Sequence, residues 1–117
     1  MRKAALRCVF AAVLAAGAGA LQPATALADC YDVFGCTDRD AFRLENLLDG
    51  PNCDFLYTMR NEIYRAHGYC FKTAKAIATF GNDGCTTGNA DKLGLSAVER
   101  GNASVIAKAE TIKGCPR

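Results

Sequence analysis

The sequence predicts a mainly α fold: a small disulfide-stapled helical domain with two principal helices, further short helices and one irregular loop. Two stretches repeat apolar residues at spacings of three and four, the signature of one buried helix face. No stretch shows the strict alternation of a half-buried strand. Six cysteines lie in the 89 residues beyond Ala28, and an even set in a short exported chain reads as a disulfide framework.

Export is read from the first 28 residues. Arg2, Lys3 and Arg7 precede an apolar run of 14 residues from Cys8 to Leu21, followed by Pro23 and the small-x-small pattern Ala26-Leu27-Ala28. This order of charge, apolar core and small residues predicts a signal peptide over residues 1–28, cleaved after Ala28. The run is shorter than the ~18 residues a spanning helix needs, so no membrane span is expected. A lipid on Cys30 would want a small residue before it, and Asp29 stands there instead. Residues 29–117 then form a single domain. It keeps eleven of the 14 basic residues against 12 acidic ones, a formal charge of −1. Without a basic surplus there is no electrostatic footprint for nucleic acid or an anionic lipid surface.

Cys8 leaves with the leader, and Cys30, Cys36, Cys53, Cys70, Cys85 and Cys115 remain. No Cys-x-x-Cys pair exists and His67 is the only histidine, so no metal site is expected. Six cysteines permit about 15 pairings. The set expected here is Cys30 with Cys36, Cys70 with Cys85, and Cys53 with Cys115, the last tying the start of one long helix to the end of an antiparallel partner.

The elements follow in order. Asp29 to Gly35 is short and turn-like. Thr37 and Asp38 are placed to cap a short helix through Ala41, Leu44, Leu47 and Leu48, ended by Asp49-Gly50-Pro51. The first long helix runs from about Cys53 to His67 on Leu56, Met59, Ile63 and Ala66, with Gly68 as its stop. Thr73 caps a short helix through Ala74, Ile77 and Phe80. The glycine-rich stretch from Gly81 to Gly94 is the loop. Ser96 and Glu99 form an S-x-x-E capping box before the closing helix, whose buried face is expected on Val98, Val105, Ala109 and Ile112.

Catalytic signatures are scarce. Of the two serines beyond the leader, Ser96 serves as a cap and Ser104 lies mid-helix, unlike an exposed nucleophile. The even cysteine count leaves no free thiol, and the glycines after Phe80 lack the Lys-Ser/Thr of a phosphate loop. Glu62 pairs with Arg65 three residues on, on a solvated face.

The stretch Met59-Arg60-Asn61-Glu62-Ile63-Tyr64-Arg65-Ala66-His67-Gly68, followed by Tyr69-Cys70-Phe71, resembles the YARHG domain, a bacterial family named after its Tyr-Ala-Arg-His-Gly motif. Phe80, Ser96, Glu99, Asn102 and Glu110 also fall where that pattern has similar residues, giving a core over residues 52–110. Gly68 to Thr73, with Phe80-Gly81-Asn82 and Cys85, is similar to its cysteine-bearing alphaproteobacterial branch. The resemblance implies an extracytoplasmic home, periplasmic or secreted, and no established activity. One departure is the order Arg65-Ala66, which turns the arginine by about 100° around the helix relative to the family name. Significance therefore passes only to Arg60, Asn61, Tyr64, His67 and Gly68.

Arg60, Tyr64 and His67 stack on one stripe beside the apolar face of the first long helix. Asn102 falls within the apolar stripe of the closing helix, where it needs a hydrogen-bond partner. The simplest arrangement joins Asn102 to the polar edge of the Cys53–His67 helix, with Gly68 and Asn102 structural. Against it stands a binding site on Arg60, Asn61, Tyr64 and His67. The function expected is a non-enzymatic cell-envelope domain, binding or structural, with an envelope component or exported protein as partner and no cofactor. The alternative is a small exported hydrolase or inhibitor using Glu62, Tyr64 or His67.

Expressed in a Gram-negative host, the protein should be recovered outside the cytoplasm with Asp29 as its first residue. N-terminal sequencing measures this, and a retained Met1 would overturn it.

Overall fold

The computed structural model describes residues 29–117, so the expected leader and its cleavage after Ala28 lie outside the described residues. A two-residue antiparallel pair, β1 (Cys30–Tyr31) and β2 (Gly35–Cys36), is followed by helices α1 (Leu44–Asp49), α2 (Cys53–Ala66), α3 (Ala74–Phe80) and α4 (Ala97–Ile112). A 3₁₀ turn at Ala90–Lys92 interrupts the loop before α4. The mainly α class, the two principal helices and the short ones agree with expectation. The small hairpin had no sequence signal, because two residues per strand show no period.

All three expected disulfides are present: Cys30–Cys36, Cys70–Cys85 and Cys53–Cys115. The cysteine sulfur at which lipid would sit is thus joined to Cys36. The bridge from Cys53 to Cys115 closes a sequence separation of 62 residues. In the chain-entropy account such a loop stabilises the fold by about 4 kcal/mol, a large share for a small domain.

Helix starts follow local chemistry. Asn52 caps α2 by accepting from the Phe55 N–H at 2.9 Å, and Thr73 caps α3 by accepting from Ala76 at 3.2 Å. Both halves of the Ser96/Glu99 capping box form on α4. Gly68 ends α2 at a φ of +81°, and a Cβ there would sit 2.9 Å from the Thr86 hydroxyl. Only glycine meets both conditions without strain.

The main core gathers Phe42, Leu47, Leu56, Met59, Ile63, Leu95 and Ile106 between α1, α2 and α4. A satellite cluster of Phe71, Ala76 and Phe80 packs beneath Tyr57 and Tyr69, with the Phe71 and Phe80 rings stacked at 5.0 Å. The buried face of α4 keeps Ala109 and Asn102 of the expected stripe but is otherwise different. It carries Glu99, Asn102, Ala103, Ile106, Ala109 and Glu110, whereas Val98 and Val105 are half-buried and Ile112 is 55% exposed. The helix is turned to bury two carboxylates and an amide because each meets a partner on the facing elements.

Asn102 does not meet α2. Its side chain, 1% exposed, accepts from the Phe42 N–H at 2.8 Å and donates to the carbonyls of Thr37 and Asp40 at 2.9 and 2.8 Å. This capture also explains why α1 starts at Leu44 with no side-chain cap, rather than at the expected Thr37-Asp38. A helix from residue 38 would need those carbonyls for its own ladder. The Asp40 carboxylate is likewise engaged, accepting from the Cys36 N–H at 2.7 Å. At the other end of α4, Lys113 Nζ donates to the carbonyls of Leu48 and Pro51 at 3.2 and 2.6 Å, closing the α1–α2 corner.

Asn102→Ala should lose about 3 kcal/mol in a denaturant melt, the upper end of the cost of one orphaned buried group, because three backbone groups lose their partner while the loop partly relaxes into water. Asn102→Asp should be no better, since a carboxylate cannot donate to two carbonyls. Wild-type stability in both variants would overturn this role.

Candidate functional site

Arg60 and His67 lie on the α2 face turned toward α4, where two buried carboxylates answer them. His67 follows the last residue of α2, and its Nε2–H donates to Glu99 Oε2 at 2.6 Å. The other oxygen of the same carboxylate accepts from the Ser96 N–H at 3.0 Å, while Ser96 Oγ accepts from the Glu99 N–H at 3.1 Å. Glu99 therefore completes the cap of its own helix and holds the end of α2. It is 8% exposed. Burial alone would raise its pKa, but the bonds from Ser96 and His67 outweigh this and bring it below the usual 4.5.

Seven residues earlier on the same face, Arg60 grips Glu110 as a fork: Nε to Oε1 at 2.6 Å and Nη2 to Oε2 at 3.1 Å. That bond, the largest influence on Arg60, raises its pKa further above its ordinary value and fixes the positive charge. Asn61 is buried and donates to the Tyr57 carbonyl at 2.8 Å. Tyr64 packs against Tyr69 with ring centroids 5.7 Å apart. The reversed Arg65 faces outward and meets Glu62 at 3.4 Å, in the expected i, i+3 pair.

These residues border different clefts. Arg60 and Asn61 border a cleft of about 460 Å³ with Tyr57, Tyr69 and Lys72, and Tyr64 borders a separate one of about 430 Å³ with Leu95 and Arg100. His67 borders neither. Among the described residues no group of three or more His, Cys, Asp or Glu side chains is placed to hold a metal ion. The arrangement binds helix to helix: one hydrogen-bonded side-chain pair at the end of α2 and one ion pair along its length.

Sequence reasoning named Arg60, His67, Glu99 and Glu110 but did not pair them. The signal was present in the spacing. Positions seven apart and eleven apart return to nearly the same side of a helix, so Arg60 with His67, and Glu99 with Glu110, each line one face. It also missed Asn82, whose side chain accepts from the Phe71 N–H at 2.7 Å and donates to the Phe71 carbonyl at 3.0 Å. Nothing local in the sequence signals that contact.

The YARHG domain profile matches residues 37–111, more than half of the chain, and the chain belongs to that family. The match reaches back beyond the expected core of 52–110 to Thr37, taking in the segment that Asn102 holds. No curated protein and no solved structure matches the chain.

Glu99→Gln should cost about 1–3 kcal/mol at neutral pH. Its folded pKa is depressed, so the stability it contributes is full above the ordinary 4.5 and is lost as pH falls through the lower folded value. The stability gap between wild type and Glu99→Gln should therefore narrow as melts are run below pH 4.5. His67→Ala should be non-additive with Glu99→Gln, yet add within about 0.5 kcal/mol to Asn102→Ala, which belongs to a separate network. A gap that does not change with pH, or full additivity in the first pair, would sink this account.

Proposed function

We propose that this member of the YARHG domain family is a non-enzymatic binding domain of the cell envelope, periplasmic or secreted after cleavage behind Ala28, with its motif as the frame. Three disulfides, the family, and the lack of a helix long and apolar enough to cross a membrane among the described residues fit an exported protein. The reading rests on one observation: the motif groups able to do chemistry are engaged in holding α2 to α4. His67 is bonded to Glu99 and Arg60 to both oxygens of Glu110. A general base has to reach a substrate proton, and an imidazole fixed on a buried carboxylate of the capping box faces the protein instead.

The alternative, a small hydrolase or inhibitor using Glu62, Tyr64 or His67, would be favoured by an open pocket lined by Arg60, Tyr64 and His67. Glu62 instead pairs with exposed Arg65, and His67 does not line the cleft that Tyr64 borders. The partner favoured is an envelope component or another exported protein, not nucleic acid, since the chain beyond the leader has no basic surplus.

Incubation of the purified protein with peptidoglycan sacculi and with an unstructured polypeptide should release no soluble product. His67→Ala should lower the melting midpoint, while Arg65→Ala should cost under about 0.5 kcal/mol. Product formation that vanishes in a folded His67→Ala or Glu62→Gln variant would establish the enzymatic alternative.

A further inference from the structure

A groove of about 570 Å³ lies away from the motif, between the hairpin and the α1–α2 corner. Its apolar wall is made by Tyr31, Phe34, Pro51 and Phe55, with Val33 at the hairpin tip. Val33 is 72% exposed and Phe55 40%, so two of the four large exposed hydrophobic residues border one groove. Such clustering marks an interaction surface, whereas isolated exposed apolar residues do not.

The charged side chains that line the groove, Asp32 and Asp49, are all acidic. Asp54 follows at the start of α2 with its side chain 91% exposed, reached only by Lys75 at 3.7 Å.

The groove is also preformed. Cys30–Cys36 closes the hairpin, the Thr37 N–H donates to the Asp29 carbonyl at 3.0 Å, and Asn102 holds the residues that follow. The Tyr31 ring is set edge-on against Phe55 at 5.6 Å and Phe42 at 6.4 Å. Little ordering remains to be done on binding.

We propose that this groove docks a cationic segment of an exported protein, in which a bulky apolar side chain flanked by Lys or Arg inserts between Val33 and Phe55 while its charges meet Asp32 and Asp49. Charge complementarity selects this occupant. An anionic membrane surface would be repelled by the same carboxylates, and a second copy would bring a second acidic rim against the first. The proposal rests on the domain being a binder, but it uses none of the motif residues.

The test is titration of the purified exported protein, at low and high salt, with a labelled synthetic peptide carrying one Phe flanked by lysines. The probe should bind, and added salt should weaken it. A peptide with glutamates in place of the lysines, and one with Ser in place of the Phe, should each bind at least about tenfold more weakly. Val33→Ser and Asp49→Asn, both at exposed or rim positions, should each weaken the lysine peptide about tenfold, with Arg65→Ala unchanged. No binding, or equal binding by these variants, would overturn the groove and leave the binding-domain reading standing. Mass spectrometry of the recovered peptide separates the two: a cleaved peptide would overturn the non-enzymatic reading instead. A dimer that Val33→Ser dissociates, or adsorption to phosphatidylglycerol vesicles that Val33→Ser abolishes, would replace the proposed occupant.

Discussion

Backbone groups removed from water must find partners, and the segment from Thr37 to Phe42 has no strand or helix of its own to supply them. Bonds back to Asp29 and Cys36 satisfy the N–H groups of Thr37, Arg39 and Asp40, and a single side chain from the far end of the chain satisfies three further groups. Asn102 offers one acceptor and two donors, and all three meet backbone groups of that segment. The placement of Phe42 in the core, the late start of α1 and the approach of the hairpin to α2 all depend on it. No other residue type of that size has both donor and acceptor capacity in one planar group. A polar side chain at the centre of an apolar helix face is here a structural requirement.

The two long helices are fixed in register by three unlike ties. A covalent bridge joins Cys53 to Cys115 at one end, His67 meets Glu99 at the other, and the Arg60 fork on Glu110 lies between. Apolar packing alone is non-directional and tolerates sliding. Charged pairs in a buried setting add little net stability over a well-packed apolar contact, but they penalise every register that leaves one member unpaired. The family motif is accordingly read as a specification of how α2 sits on α4. Its outward-turned Arg65 is free of that constraint, which is why the departure from the family name leaves the junction intact.

What could be seen in the sequence was whatever local chemistry decides: the α2 and α4 spans, the caps at Thr73 and Ser96, the glycine stop at residue 68, and the disulfide-bonded class. The pairing of Cys53 with Cys115 was legible because two antiparallel helices of similar length bring those ends together. The face of α4 was misjudged because hydrophobicity favoured Val98, Val105 and Ile112, whereas the buried partners of Glu99, Asn102 and Glu110 come from segments distant in sequence. The same limit hid the capture of residues 37 to 42 and the groove beside Val33. Both arise from which surfaces tertiary packing leaves covered or open, and no spacing along one segment encodes that.

The bridge between Cys53 and Cys115 encloses α2, α3, the long loop and α4 in one covalent ring. A single proteolytic cut anywhere inside that ring opens it without releasing a fragment. The pieces stay tethered at high effective concentration, and the helix-to-helix contacts can close again. A cut in the loop before Ser96 would be a change of connectivity with the fold still held together.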